Sequence, residues 1–400
     1  MPRKRLSLVA VFVVVFIDLL GFGALIPILP TIAVNKFAMS ETQVGVVLAV
    51  YSLAQFFANP IFGKLSDKYG RRPIILLTLA VNALGYAAFA FSFDFWTLLL
   101  SRVVSGVGGG SIGVAQAYIA DVTEPSERSR GMGLIGAAFG LGFVFGPIVG
   151  GWLATYGVAV VGMASASFST AAFLFTLFVL PESRAGDGSE SRLAKLFDVG
   201  AYRRVVFHSR ASTVVHMMFL ETFAFANIYG TLALLADQKY LMDEFEIGTL
   251  YAVVGVVSAF TQGWLVGKAS ARIGDRWTLL IGSLVMTAGL SVTPYSSDKV
   301  MLIVVFGVTV FGLGFTVPTL LSLVSRAAPA EAQGETLGVN HSLASLARAL
   351  GPLWGGYAYE HIDKHAPFET GALFIAPIVI FAAFYLPKLF KREREEQSTG

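Results

Sequence analysis

Four ionisable side chains sit inside long apolar runs of this chain: Asp18, Arg102, Glu221 and Arg348. A charge held in hydrocarbon costs roughly 2.5–3.5 kcal/mol even on a lenient insertion scale, so each of the four needs a purpose. A carboxyl withdrawn from water has its ionised form disfavoured, and a group that can gain and lose a proton near ambient pH is what proton coupling requires. Asp18 and Glu221 are the candidates, each about ten residues into its run and so near mid-membrane at about 1.5 Å per residue. Arg102 cannot practically lose its proton, and such a cation can influence the titration of an acid nearby. Arg348 either binds an anionic part of a ligand or pairs with Glu221; the sequence leaves both open.

These residues need apolar elements to hold them, and the composition supplies little else. Of 400 residues 55% are hydrophobic and only 14% charged, against the quarter charged that is usual in soluble domains. Cysteine is absent, which excludes a disulfide scaffold, and 13% aromatic content excludes disorder. A membrane-crossing helix needs about 20 apolar residues. Twelve such runs are expected, at 7–30, 42–63, 73–93, 96–120, 131–153, 158–181, 211–236, 246–267, 277–296, 299–325, 335–358 and 368–387. The first follows Arg3, Lys4 and Arg5 in the manner of a signal peptide. It continues to Pro30 without a small-residue cleavage site, so a retained helix is expected.

Lys and Arg in the connections set the orientation. Twenty-three of the 29 fall on one side of the spans and four on the other, the remaining two being Arg102 and Arg348. The net charge of +3 is therefore placed for an anionic inner membrane face and not for nucleic acid. Both termini are expected on the cytoplasmic side of a plasma or inner membrane. A polar, small-residue stretch separates the sixth and seventh spans. The expected organisation is a first six-helix half at 1–181, a linker at 182–210, a second half at 211–388 and a tail at 389–400.

The two halves match at an offset of about 204 residues. Gly63-Lys64-Leu65-Ser66-Asp67-Lys68-Tyr69-Gly70-Arg71-Arg72 falls on Gly267-Lys268-Ala269-Ser270-Ala271-Arg272-Ile273-Gly274-Asp275-Arg276, and Gly146-Pro147 with Gly150-Gly151 falls on Gly351-Pro352 with Gly355-Gly356. Paired six-helix repeats are an arrangement of secondary transporters, with the substrate path at the midplane. The fold class expected is all-α and polytopic, twelve transmembrane helices in two pseudo-symmetric halves.

The loop Gly63-x-x-x-Asp67-Lys68-x-Gly70-Arg71-Arg72 between spans two and three resembles the signature of the major facilitator superfamily. Other segments resemble its drug:proton antiporter branch, which includes tetracycline exporters. These are Asp18 running to Pro27 and Pro30, Arg102-x-x-x-Gly106, Ala117-Tyr118-Ile119-Ala120-Asp121 with Glu127-Arg128, and Gly142-x-x-x-Gly146-Pro147-x-x-Gly150-Gly151. The resemblance implies that the segment at 63–72 is a cytoplasmic latch, with Asp121 as partner and Arg102 taking part in proton release. Positive-inside charge alone explains the cations there but not the glycines. Ala271 replaces the acid in the second copy, so a weaker or absent latch is expected in that half. The fifth span is rich in glycine, and its small-residue spacing suits close helix packing around a Pro147 bend. By resemblance it is the antiporter helix. Where tetracycline exporters place an acid, a histidine and a second acid, this chain has Gly85, Ser258 and Met286, which disfavours a metal-chelated tetracycline as cargo.

Gln55, Asn59, Gln116, Asn227, Gln262 and Asn340, with Arg348, either line a substrate cavity or bond helix to helix. His361, Asp363 and His365 have metal-like spacing in an outer loop but no further ligands around them, so no metal is assigned. There is no phosphate-binding Gly-x-x-x-x-Gly-Lys-Ser/Thr loop, hence no ATP-driven pump, and no catalytic constellation or cofactor site. The leading expectation is a proton-coupled antiporter, monomeric in the bilayer, that exports small amphipathic molecules in exchange for protons. An uptake symporter or uniporter for a polar solute, or a non-transporting receptor, are the alternatives.

Overall fold

The computed structural model describes residues 2–124, 128–183, 199–328 and 332–386. Most of the linker (184–198) and the whole tail (389–400) expected from the sequence lie outside the described residues. Every regular element among the described residues is helical. The chain divides into two compact units, Met1–Asp198 with Gly230–Gly255, and Val199–Tyr229 with Val256–Gly400.

The first unit is built on α1 (Pro2–Leu25) and α2 (Leu29–Phe37), which continue one another, then α3 (Glu41–Tyr69), α4 (Arg71–Ala90), α5 (Phe95–Gly108), α6 (Ser111–Val122), α7 (Arg128–Ala154) and α8 (Val158–Val179). The starts are written in the sequence. Ser40 and Gln43 cap α3 reciprocally, with bonds of 3.3 and 3.0 Å, and Asp94 caps α5 by accepting from the Thr97 amide at 2.8 Å. A glycine-rich joint at Gly108–Gly110 divides the fourth span into α5 and α6. Within this unit α1 packs chiefly on α7 and α8, and α4 on α8 and α5.

The antiporter-helix glycines bring α7 onto α1 at backbone distance. A Cβ on Gly142 would come within 2.7 Å of the Leu19 Cβ and one on Gly146 within 2.7 Å of the Gly23 Cα; one on Gly150 would collide with the Ala24 backbone. Gly151 instead faces α11 (Glu244–Phe260), with the Gly248 Cα 3.2 Å from a Cβ placed there. Only glycine permits these approaches.

The second unit contains the first part of α10 (Ser212–Tyr240), through Tyr229, the remainder of α11, α12 (Val266–Val292), α13 (Lys299–Ala327), α14 (Gln333–His361) and α15 (Ala366–Ile380), preceded by the short α9 (Val199–Arg203). Here α12 packs chiefly on α13 and α15. Ten described stretches are long and apolar enough to cross a membrane; one of them, the 52 residues Glu244–Tyr295, reverses at Gly274 and makes two crossings. The twelfth crossing is α14, which has the length but too many polar residues to qualify on hydropathy.

The repeat extends to backbone torsions. Gly70 adopts φ 96°, ψ 159° and Gly274 φ 80°, ψ 160°, each the single break between consecutive spans. A side chain at either position would be strained, because L-residues rarely adopt positive φ. The sequence reading took 63–72 as a loop. The structure instead continues α3 through Tyr69, and Gly63 lies in that helix with open space beside it.

Candidate functional site

Asp18 lies on α1 inside the long run Ser7–Phe37 and is 7% exposed. Three neutral side chains from three other helices converge on it. Asn82 Nδ2 (α4) donates to Oδ1 at 2.8 Å, Ser169 Oγ (α8) to Oδ1 at 3.0 Å, and Ser111 Oγ (α6) to Oδ2 at 3.1 Å. No basic side chain among the described residues pairs with this carboxyl. The chemistry of the partners matters: an amide N–H can only donate, whereas a hydroxyl donates to a carboxylate or rotates to accept from a carboxylic acid. Two of the three partners therefore suit either protonation state.

Arg102 on α5 is 4% exposed, as buried as Asp18, and is not bonded to it. Its Nε donates to Ser101 Oγ at 3.3 Å, and its guanidinium lies 5.0 Å from the Phe89 ring centre and 5.8 Å from that of Tyr86. Arg102 Nη2, Tyr86 OH, Ser105 Oγ and Asn82 Oδ1 are all buried without a hydrogen-bond partner among the described residues. A buried polar group left unmade costs about 1–3 kcal/mol, so four of them on α4 and α5 mark a polar interior that packing alone would not retain.

Glu221 on α10 is 1% exposed, and among the described residues its hydrogen-bond partner is Thr316 Oγ1 of α13, which donates at 2.7 Å. Arg348 does not pair with it. That side chain is exposed on α14 and donates from Nη2 to Ser345 Oγ at 2.8 Å. Of the remaining sequence-nominated polar residues, Gln116 and Gln262 are exposed, Gln55 donates to the Gly109 carbonyl at 2.9 Å, and Asn227 donates to the Pro367 carbonyl at 2.6 Å. Asn59 and Asn340 each bury an amide oxygen without a partner among the described residues.

At the turn between α3 and α4 Arg71 is 6% exposed and joins three helices. It contacts Asp67 at 2.8 Å, Asp121 at 2.9 Å and Ser66 Oγ at 2.6 Å. The N-terminal amides of α4 are covered by Glu182, whose two carboxylate oxygens accept from the Arg71 and Arg72 amides at 2.9 and 3.1 Å; Arg72 Nη2 donates to the Leu177 carbonyl at 2.6 Å. An acid at a helix N-terminus is favoured by the orphan amides and the helix dipole. Sequence reasoning missed Glu182, and its only signal was an acid directly after the sixth apolar run. In the second unit Asp275 accepts from both Arg326 and Ser270, and Arg276 Nη2 donates to the Ala383 carbonyl at 3.0 Å. A polar clasp thus exists there too, although Ala271 replaces the acid.

Among the described residues no cluster of His, Cys, Asp and Glu could hold a metal ion; His365 and Asp363 simply pair with each other at 3.2 Å.

A helical membrane protein with twelve crossings, an internal repeat and buried carboxyls on its spans is a secondary transporter in architecture. The chain belongs to the Major Facilitator Superfamily, whose model matches residues 11–226 and 214–400, and it is a transporter and not an enzyme. It is 31% identical over 353 residues to the Escherichia coli tetracycline resistance protein of class E, covering 87% of this chain and 86% of that one. The crystal structure of the human organic anion transporter MFSD10 aligns with a TM-score of 0.72 at 25% identity over 96% of this chain and all of that one. A bacterial homologue of the human lysosomal transporter Spinster, inward-facing and occupied, shares the fold with a TM-score of 0.79 at 15% identity, covering 96% and 97%.

Proposed function

We propose that the protein is a proton-coupled antiporter that exports small amphipathic molecules by alternating access, as a monomer in the plasma or inner membrane with both termini cytoplasmic. Asp18 is the principal proton carrier, Glu221 a second protonatable site, and Arg102 the fixed cation that shapes the field around the first. The observation carrying this reading is the setting of Asp18: buried within a span, free of any ion pair among the described residues, and held by hydroxyls that tolerate both its states. A structural carboxylate would be locked by a cation, whereas a working one must be able to change charge without losing its partners. Membership of the superfamily and the similarity to tetracycline resistance proteins support export. Gly85, Ser258 and Met286 argue for a cargo other than a metal-chelated tetracycline.

The test is an inside-acid proton gradient imposed on sealed vesicles of known orientation, screening labelled compounds for opposing movement. Wild type should accumulate at least one amphipathic compound in response to the gradient, and Asp18→Asn and Arg102→Ala should insert normally yet lose the response. Intact gradient-driven exchange in both variants would remove the coupling assignment. Retained substrate entry without a gradient response in wild type would favour a uniporter.

A further inference from the structure

Tyr86 is fully buried in the first unit, at 0% exposure, and its hydroxyl has no hydrogen-bond partner among the described residues. A buried tyrosine ordinarily finds one for its O–H. Tyr118, equally buried, does so by donating to the Pro181 carbonyl at 2.8 Å. The surroundings of Tyr86 are polar. On α4 it stands one turn beyond Asn82, whose Nδ2 donates to Asp18. A Cβ on Gly21, three residues past Asp18 on α1, would meet Tyr86 Cε2 at 3.4 Å, so the hydroxyl end of the ring lies beside α1 about one turn from the carboxyl. The Arg102 guanidinium is 5.8 Å from the ring centre, and a Cβ on Gly85 would collide with Ser105 Oγ, which brings α5 directly against α4. Tyr51, Asp18 and Arg102 are within electrostatic reach of the hydroxyl, and Asn82 is near it without bonding.

The four unpartnered groups here differ in what they can do. Asn82 Oδ1 only accepts, Arg102 Nη2 only donates, and the hydroxyls of Tyr86 and Ser105 do either. Such a set on adjacent turns suits buried water, which makes about three bonds to polar groups that lack other partners. Where polar groups stand beyond direct reach of one another, water completes the contact. An amide is no proton carrier, whereas a hydroxyl takes a proton on its oxygen as it gives up its own. Of the two hydroxyls, that of Tyr86 stands beside α1. From Tyr86, α4 has four residues left to its end at Ala90, about 6 Å, while Asn82 and Asp18 lie the other way.

We infer that Tyr86 is a proton relay: with water held among Tyr86, Ser105, Asn82 and Arg102, its hydroxyl passes protons between Asp18 and the Ala90 end of α4. In the loading direction a protonated water on the Ala90 side gives its proton to the phenol oxygen as the phenol releases its own to a water on the Asp18 side. That second water protonates the carboxylate, and the phenol ends neutral. Arg102 beside the ring opposes a positive charge dwelling there, so the relay passes a proton on and does not store it. The inference rests on the reading of Asp18 as the proton carrier and adds the residue and the route by which it is loaded. On the orientation proposed above, that route leads to the outer side.

The test follows the carboxyl itself and needs no cargo. The purified full chain is placed in sealed vesicles with the Ala90 end of α4 facing out, and the external medium is acidified in a fast jump. The carboxylic C=O infrared band that Asp18→Asn removes is then followed in time. Wild type should gain the band, and Tyr86→Phe should reach the same final band about a hundredfold more slowly, the scale of a lost proton-transfer group. Thermal unfolding checks that each variant is folded. Should Tyr86→Phe not fold, Ser105→Ala, which removes a water contact without touching the ring, is judged in its place, with a slowing of about tenfold expected. An unslowed band in the folded variant would overturn the relay. So would a final band that shrinks while its rate is kept, since the hydroxyl would then serve the structure of the site only. Failure of the coupling reading looks different: wild type would show no band that Asp18→Asn removes, and the relay would fall with it.

Discussion

Arg71 and Asp275 stand at the same position in two copies of one turn and carry opposite charge. Each follows a glycine with positive φ, and each bonds the serine five residues before it, Ser66 in one case and Ser270 in the other. Each also forms an ion pair with a later helix, Arg71 with Asp121 and Asp275 with Arg326. The two turns are the same device with its polarity reversed. That accounts for Ala271: an acid there, matching Asp67, would repel Asp275 where Asp67 attracts Arg71.

A transplant tests this relation. Arg71→Asp should impair transport and destabilise the protein, because it puts three acids together where Arg71 bridges two. Adding Asp121→Arg and Asp67→Ala rebuilds the second-half arrangement in the first half. The triple variant should recover most of the loss, with a coupling of about 1–3 kcal/mol between positions 71 and 121 in a double-mutant cycle. Thermal unfolding and transport rate measured together would reveal it; additive losses would show the two turns to be unrelated.

Glycines in one helix should separate by neighbourhood. Gly146→Ala forces a methyl against the Gly23 backbone and should destabilise by about 1–3 kcal/mol, the usual cost of overpacking. Gly136→Ala, on the same helix with nothing within 4 Å of the added carbon, should leave the unfolding temperature unchanged. Equal effects at both positions would contradict the packing described for α1 and α7.

Ser111→Ala with Ser169→Ala removes the two hydroxyls at Asp18 and leaves Asn82 in place. The variant should insert and fold, while gradient-driven transport falls about tenfold, on the scale of general proton-transfer effects of one to a few decades. An unchanged rate would mean that the hydroxyls serve packing only.

Outside the spans, Asp94 is held below the ordinary carboxylate range by the Thr97 hydroxyl and amide, and Asp298 by the Met301 amide and then Ser297. A carboxyl lowered in the folded state contributes stability above its unfolded value, and that contribution is lost as pH falls through the folded value. Asp94→Asn and Asp298→Asn should therefore flatten the acid limb of the stability profile below about pH 4 and leave its alkaline side unchanged. An acid limb as steep as that of wild type would contradict these caps.

Twelve spans and an internal repeat were legible in the sequence because hydropathy is a sum over about 20 residues and survives local noise. α14 is legible as a span from the length of its run despite its polar residues, and Gly351-Pro352 with Gly355-Gly356 repeat those of the fifth span. Partners were less legible. Ser111 and Ser169 look no different in sequence from Ser167 and Thr170, whose hydroxyls bond their own helix at Met163 and Ala166. Only the rotation of α6 and α8 about their axes decides which hydroxyls reach Asp18, and that rotation is set by packing. The same holds for Asp275: aligned residue by residue, the second turn looks degraded, and its reversed clasp emerges only when Arg326 is brought beside it from a helix 51 residues away.

The central claim is that Asp18 takes and yields a proton as substrate binds and leaves. Its most direct test is proton release by the purified full chain in weakly buffered solution, recorded with a pH-indicator dye on adding the compound that scores highest in the vesicle screen. Wild type should release protons on binding, with the release scaling with occupied sites, while Asp18→Asn binds the same compound and releases none. Equal release by wild type and Asp18→Asn would contradict the account.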